Sequence, residues 1–128
     1  MPERVAIVGS REFEPLDLVG QYVQTLPLGT IVVSGGAPGV DRAAEDAAKR
    51  LGYKRQIYAA EWWTHGRFDR SAGMRRNARI VEASDRVVAF WDGVSRGTMN
   101  TVEIAREAGK PVMIGVWDPQ TSRIVWGV

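Results

Sequence analysis

The sequence predicts one α/β domain: a doubly wound sheet of about five parallel strands, helices on both faces, and room for an added C-terminal edge strand. Three observations predict it. Short apolar runs bounded by turn residues alternate with segments of helical period, as when strands are buried on both faces and joined by helices. The helical segments carry recognisable starts or stops. The 128 residues suffice for one sheet covered by helices but not for a second core, so residues 1–128 read as a single domain.

In chain order, Arg4–Gly9 reads as a strand and Pro15–Leu26 as a helix. Thr30–Ser34 is the second strand, and Pro38–Leu51 the second helix, with Pro38 suited to a first turn and Gly52 to the stop. Arg55–Ala59 is a third strand and Ser71–Ala83 a third helix. Arg86–Trp91 follows as a strand, then helix Gly97–Ala108, stopped by Gly109, and Lys110-Pro111 turns the chain into strand Val112–Val116. This alternation specifies a parallel, Rossmann-like sheet with right-handed crossovers. After a turn at Asp118-Pro119-Gln120, the run Arg123–Trp126 is either an edge strand or a subunit contact.

Composition removes several classes of function. Cysteine is absent and His65 is the only histidine, so disulfides, thiolate chemistry and histidine metal clusters drop out, and no metal or cofactor is expected. No apolar run is long enough to cross a bilayer and the first residues lack a signal-peptide core, so a cytoplasmic protein without membrane contact is expected. The net charge is only +2, although fourteen of the 17 basic residues are arginine. Arginine's planar fork suits phosphate or carboxylate, and its placement matters more than its number.

In a doubly wound sheet, ligands sit beyond the carboxyl ends of the strands. Three loops there have unusual composition: Gly9-Ser10-Arg11, Ser34-Gly35-Gly36-Ala37-Pro38-Gly39-Val40-Asp41, and Asp92-Gly93-Val94-Ser95-Arg96-Gly97-Thr98. The second and third run into helix N-termini, whose unpaired N–H groups favour an anion. Neither matches the P-loop or the GxGxxG fingerprint, so ATP hydrolysis and ordinary NAD-dependent hydride transfer fit poorly.

Other segments have two readings each. Arg75, Arg76 and Arg79 are either ligand contacts or a solvated face paired with Glu82 or Asp85. The aromatic stretch Glu61 to Phe68, with Trp62, Trp63 and His65, either stacks a base or anchors a subunit interface. Asp41 and Glu45, one turn apart, either complement the helix dipole, or Asp41 holds a ribose hydroxyl or orients a loop. Glu103 is a candidate acid or base only if it faces the cleft.

Together these motifs resemble the SLOG superfamily, which joins the DNA-processing protein DprA and the Lonely-Guy phosphoribohydrolases, and within it the YspA-like (YpsA-related) subgroup. The matching residues are Gly9-Ser10-Arg11, Ser34 to Asp41, Trp62 to Gly66, Ala72-Gly73-Met74-Arg75-Arg76-Asn77 and Gly97-Thr98 to Ala105. The resemblance implies a nucleotide or nucleotide-derived ligand, held as by a sensor or sequestering module. Phosphate would sit on the glycine loops with Arg11, Arg76 and Arg96, and the base near Trp62 or His65. The resemblance further places Arg76 at a Lonely-Guy catalytic arginine, but Met99-Asn100-Thr101 replaces the segment carrying that family's paired glutamates. A nucleoside-monophosphate N-glycosidase using Arg76 with Asp41, Glu45 or Glu103 is therefore the alternative. Single-stranded nucleic acid ranks last, on the small net charge. A homo-oligomer is expected from the surplus of tryptophan.

Overall fold

The structure, a computed structural model, describes residues 2–128. Twelve elements follow in order: β1 (Arg4–Gly9), α1 (Asp17–Gln24), β2 (Ile31–Ser34), α2 (Val40–Leu51), β3 (Lys54–Ile57), β4 (Trp63–Thr64), β5 (Arg67–Phe68), α3 (Ala72–Glu82), β6 (Arg86–Trp91), α4 (Arg96–Glu107), β7 (Val112–Asp118) and β8 (Arg123–Gly127). The large sheet runs β3-β2-β1-β6-β7-β8, parallel throughout except for β8, which pairs antiparallel with β7. The fold class is thus the one the sequence predicts, and Arg123 onward is the edge strand.

Alternation along the strands divides the interior into two cores. Val5, Ile7, Val32, Val88 and Phe90 face one side, with Val19 and Val23 of α1 and Val40, Ala44 and Ala48 of α2. Ala6, Val8, Val33, Val87 and Ala89 face the other, with Ile80 and Val81 of α3 and Val102 and Ala105 of α4. The chain moves from β1 outward to β2 and β3, then crosses back to β6 on the other side of β1. Strand order therefore reverses between β1 and β6, and the loops after both strands part around a crevice there.

Several boundaries differ from expectation for local reasons. Pro38 precedes α2 instead of opening it, because Gly39 takes the N-cap position with φ +88°. The tail of α1 tightens as the Thr25 and Leu26 N–H groups bond to Tyr22 and Val23 carbonyls. The aromatic stretch folds into a small hairpin of β4 and β5, joined by His65 and Gly66, both with positive φ as a two-residue type I′ turn requires.

The aromatic surplus is largely absorbed inside the chain. Trp126 lies 5.5 Å from the rings of Tyr22 and Phe90, over Gly115, where a Cβ would sit 2.8 Å from the indole. Trp117 is partly buried against the same core. Of Trp62, Trp63, Trp117 and Trp126, the tryptophans behind the oligomer expectation, Trp63 is the one left mainly exposed, at 69%. Among the described residues no helix is long and apolar enough to cross a membrane.

Lys110 closes the C-terminal end of α3. Its Nζ donates to the carbonyls of Val81 (2.6 Å), Glu82 (3.1 Å) and Ser84 (2.6 Å) where the helix ends. Lys110→Met is expected to cost about 1–2 kcal/mol in urea unfolding, with Lys110→Arg recovering part of it.

Candidate functional site

The crevice between β1 and β6 is a cleft of about 540 Å³. Gly9 and Arg11 reach it from the loop after β1, Ala37 and Asp41 from the start of α2, and Asp92, Ser95, Arg96, Gly97 and Thr98 from the loop into α4. Trp62 comes from the segment before β4, and Arg76 and Asn77 from α3. Ser10 ties two of these loops together beneath the surface. Its Oγ accepts from the Asp92 N–H at 3.1 Å and lies 3.3 Å from Thr98 Oγ1.

The glycine loop after β2 is occupied by its own helix. Asp41 Oδ2 accepts the N–H groups of Gly35 (3.2 Å) and Ala37 (3.4 Å), while Glu45 Oε2 accepts the Gly36 N–H (2.9 Å) and the Ser34 hydroxyl. The donors that the sequence offered to an anion are therefore taken by two buried carboxylates. Asp41 holds the loop through these bonds. Ser34, Gly35, Gly36, Gly39 and Val40 shape this wall from behind without lining the cleft.

The loop into α4 keeps backbone donors open. Asp92 Oδ1 accepts the N–H groups of Val94 (2.9 Å) and Ser95 (2.8 Å), which fixes the turn around Gly93. Ser95 caps α4 through the Thr98 N–H. The N–H groups of Arg96 and Gly97, in the first turn, find no protein acceptor among the described residues. A Cβ at Gly97 would meet open space, so a ligand oxygen can approach these donors.

Arg76 is the half-buried centre of the site. Its Nη1 donates to the Gly35 carbonyl and its Nε to Asn77 Oδ1 at 2.9 Å. Asn77 Nδ2 in turn donates to Asn100 Oδ1 at 3.0 Å, linking α3 to α4. Burial pulls Arg76 below the usual arginine range, the Asp41 carboxylate opposes this, and the like charge of Arg11 reinforces it. The neighbouring arginines do other work. Arg75 binds Asp69 and Ser71, and the Arg79 guanidinium lies 5.0 Å from the Tyr58 ring centroid, so neither pairs with Glu82 or Asp85, one of the two readings of this face.

Two expected participants lie elsewhere. Glu103 is exposed on α4 and does not line the cleft, and His65 sits at the hairpin tip. Conversely, Glu12, Arg70, Met74, Asn100 and Thr101 line the cleft and were not anticipated. For Asn100 and Thr101 the signal was present, since helical spacing places them one turn beyond Arg96 and Gly97. They occupy the segment where the Lonely-Guy pattern carries glutamates, and Thr101 Oγ1 donates to the Gly97 carbonyl at 3.3 Å.

Burial raises the Asp41 carboxyl to about 6, against the Ala37 N–H and the Arg76 charge, which lower it, and Glu45, which raises it further. The folded state thus binds this proton more tightly than the unfolded chain, at its ordinary 3.8. The stability it contributes is complete below 3.8 and is lost as pH rises through about 6. Thermal unfolding from pH 4 to pH 8 is expected to show this loss, up to about 3 kcal/mol. Asp41→Asn, whose amide oxygen still accepts the loop N–H groups, should flatten the profile across that window.

No protein-family model and no curated protein matches the chain. Among solved structures it is similar to DNA processing protein A (DprA) from Streptococcus pneumoniae, with a TM-score of 0.75 and 24% identity over 87% of this chain. It is also similar to DprA from Helicobacter pylori, determined for its single-stranded DNA binding mode, with a TM-score of 0.67 and 24% identity over 88% of this chain. The alignments span 49% and 65% of those chains. At this identity the likeness establishes a shared fold.

These neighbours correct the expected partner. A small nucleotide ligand was placed first and nucleic acid last, whereas the proteins that share the fold process DNA, and one is described through its grip on a single strand. The net charge of +2 misled because it averages the whole surface. The cleft itself gathers Arg11, Arg70, Arg76 and Arg96, and two of its three carboxylates, Asp41 and Asp92, are already engaged by backbone N–H groups.

Proposed function

We propose that this chain, as a SLOG-type domain, binds single-stranded DNA, with the strand entering the cleft between β1 and β6. The observation that carries the reading is convergence: four arginines from separate segments, the free N–H groups of Arg96 and Gly97, and Trp62 meet in one cleft. Its volume suits about one or two unstacked nucleotides and excludes a duplex. Phosphates pair with Arg11, Arg76 and Arg96 and with the first turn of α4, and a base edge or ring lies toward Trp62. Asp41 and Asp92, two of the three cleft carboxylates, are held by backbone N–H groups, and Asn100 and Thr101 stand where paired glutamates would serve a glycosidase, which favours holding a strand over cutting it.

Fluorescence anisotropy with labelled oligothymidylate at several salt concentrations tests this. Three arginine–phosphate contacts imply that log K falls with log salt at a slope of about −2. Duplex of equal length should compete poorly. Absence of binding to any single-stranded oligomer at low salt, or displacement of the oligomer by an equimolar mononucleotide, would overturn the proposal.

A further inference from the structure

The β4–β5 hairpin stands at the rim of the cleft with more aromatic surface than its own packing uses. Trp62, which lines the cleft, stacks on Phe68 with ring centroids 5.9 Å apart and planes 6° from parallel. Trp63 meets the same Phe68 edge to face at 5.6 Å. The rings thus form a continuous series leading from the cleft wall outward, and the outer two remain 69% and 54% exposed.

The platform is held in place. The Asp69 N–H donates to the Trp62 carbonyl at 2.6 Å, and the Asp69 carboxylate binds Ser71 and Arg75 at the start of α3. The edge of Trp62 lies over Gly73, where a Cβ would stand 2.9 Å from the indole, so the hairpin seats directly on the helix. Arg67 on the hairpin and Arg70 at its foot are exposed, and Arg70 also reaches the cleft.

We infer that Trp63 and Phe68 form a second base-stacking station, so that a strand leaving the cleft continues over the hairpin with Arg67 and Arg70 along its phosphates. The inference rests on the single-strand reading of the cleft and adds a direction and a footprint to it. Three features identify the occupant as nucleobases of that strand. The rings are continuous with the cleft through Trp62. Arg67 and Arg70 stand beside them for a polyanion, while the Asp69 carboxylate is paired with Arg75. The exposed area of Trp63, Phe68 and Met74 is roughly 400 Å², half of the ~800 Å² per partner that a stable protein interface buries.

The test is the length dependence of binding by the full chain, using oligothymidylates of three to twelve nucleotides with Trp63→Ala/Phe68→Ala beside the wild type. Wild-type affinity should rise in two steps, the second by about tenfold or more. The double variant should lose the second step and keep its affinity for the shortest oligomers, while Trp63→Phe restores it because stacking needs only a ring. Abasic nucleotides at the outer positions should weaken wild type to the level of the variant. An unchanged length profile overturns the inference and leaves the cleft reading intact, as does an equal loss at every length. A wild-type dimer that the double variant converts to monomer assigns the surface to a second copy instead. Failure of the wild type to bind any oligomer removes both readings.

Discussion

Gly39→Ala is expected to destabilise the fold by about 3–5 kcal/mol and to lower Tm by about 10–20 °C. Two costs add at this position. The backbone stands at φ +88° and ψ −125°, a region open to glycine and strained for any residue with a Cβ. A Cβ would also lie 2.7 Å from both the Cα and the carbonyl oxygen of Arg11 and 2.9 Å from the Ser10 carbonyl. These are backbone atoms, so relief requires the loop after β1 to move away from the start of α2. Gly29→Ala is the comparison, because its φ of +93° is also positive while nothing lies within 4 Å of its Cβ position. That variant should lose about 1–2 kcal/mol. Equal losses at both positions in thermal or urea unfolding would show that the contact with Ser10 and Arg11 carries no weight.

Arg76→Ala should weaken single-strand binding about a hundredfold, the range of a lost charge-assisted bond in a partly buried site. The guanidinium supplies a positive charge to the cleft and offsets the Asp41 carboxylate behind it. Its removal therefore deletes an attraction and uncovers a repulsion. Arg76→Lys should recover little, since the fork meets the Gly35 carbonyl and Asn77 Oδ1 from two separate nitrogens, Nη1 and Nε, and the single nitrogen of a lysine cannot reproduce that planar spread while facing a phosphate. Adding Asp41→Asn to Arg76→Ala should restore part of the affinity, and the double-mutant cycle then measures the coupling. Arg106→Ala is the control, because that exposed arginine contacts the Val128 carbonyl and lies off the cleft. Anisotropy read beside Tm separates lost binding from lost folding.

The sheet was legible because burial on both faces forces unbroken apolar runs. Arg4–Gly9 and Arg86–Trp91 are strands to the residue. Helix starts were less legible, since a glycine N-cap such as Gly39 leaves no side-chain signature and Pro38 read as a first turn. The hairpin escaped because its strands are only two residues long and its turn places His65, not a second glycine, at positive φ.

The cleft was partly legible as well. The motifs pointed to Gly9, Arg11, Arg76, Asn77 and the loop into α4, which the fold brings together. Arg70 was not legible, because the hairpin folding back on α3 carries it to the rim. The fate of the glycine-loop donors was equally hidden: whether an N–H faces solvent or a carboxylate depends on the side-chain conformations of Asp41 and Glu45, which spacing does not reveal.

Those two carboxylates have a thermodynamic consequence. A loop whose N–H groups are held from within has little conformational entropy left to lose on association. The wall after β2 should therefore be superposable in the free and DNA-bound protein, with amide hydrogens at Gly35, Gly36 and Ala37 protected from exchange before any ligand arrives. The ordering cost of complex formation then falls on the strand, which arrives flexible and must be straightened against a rigid surface.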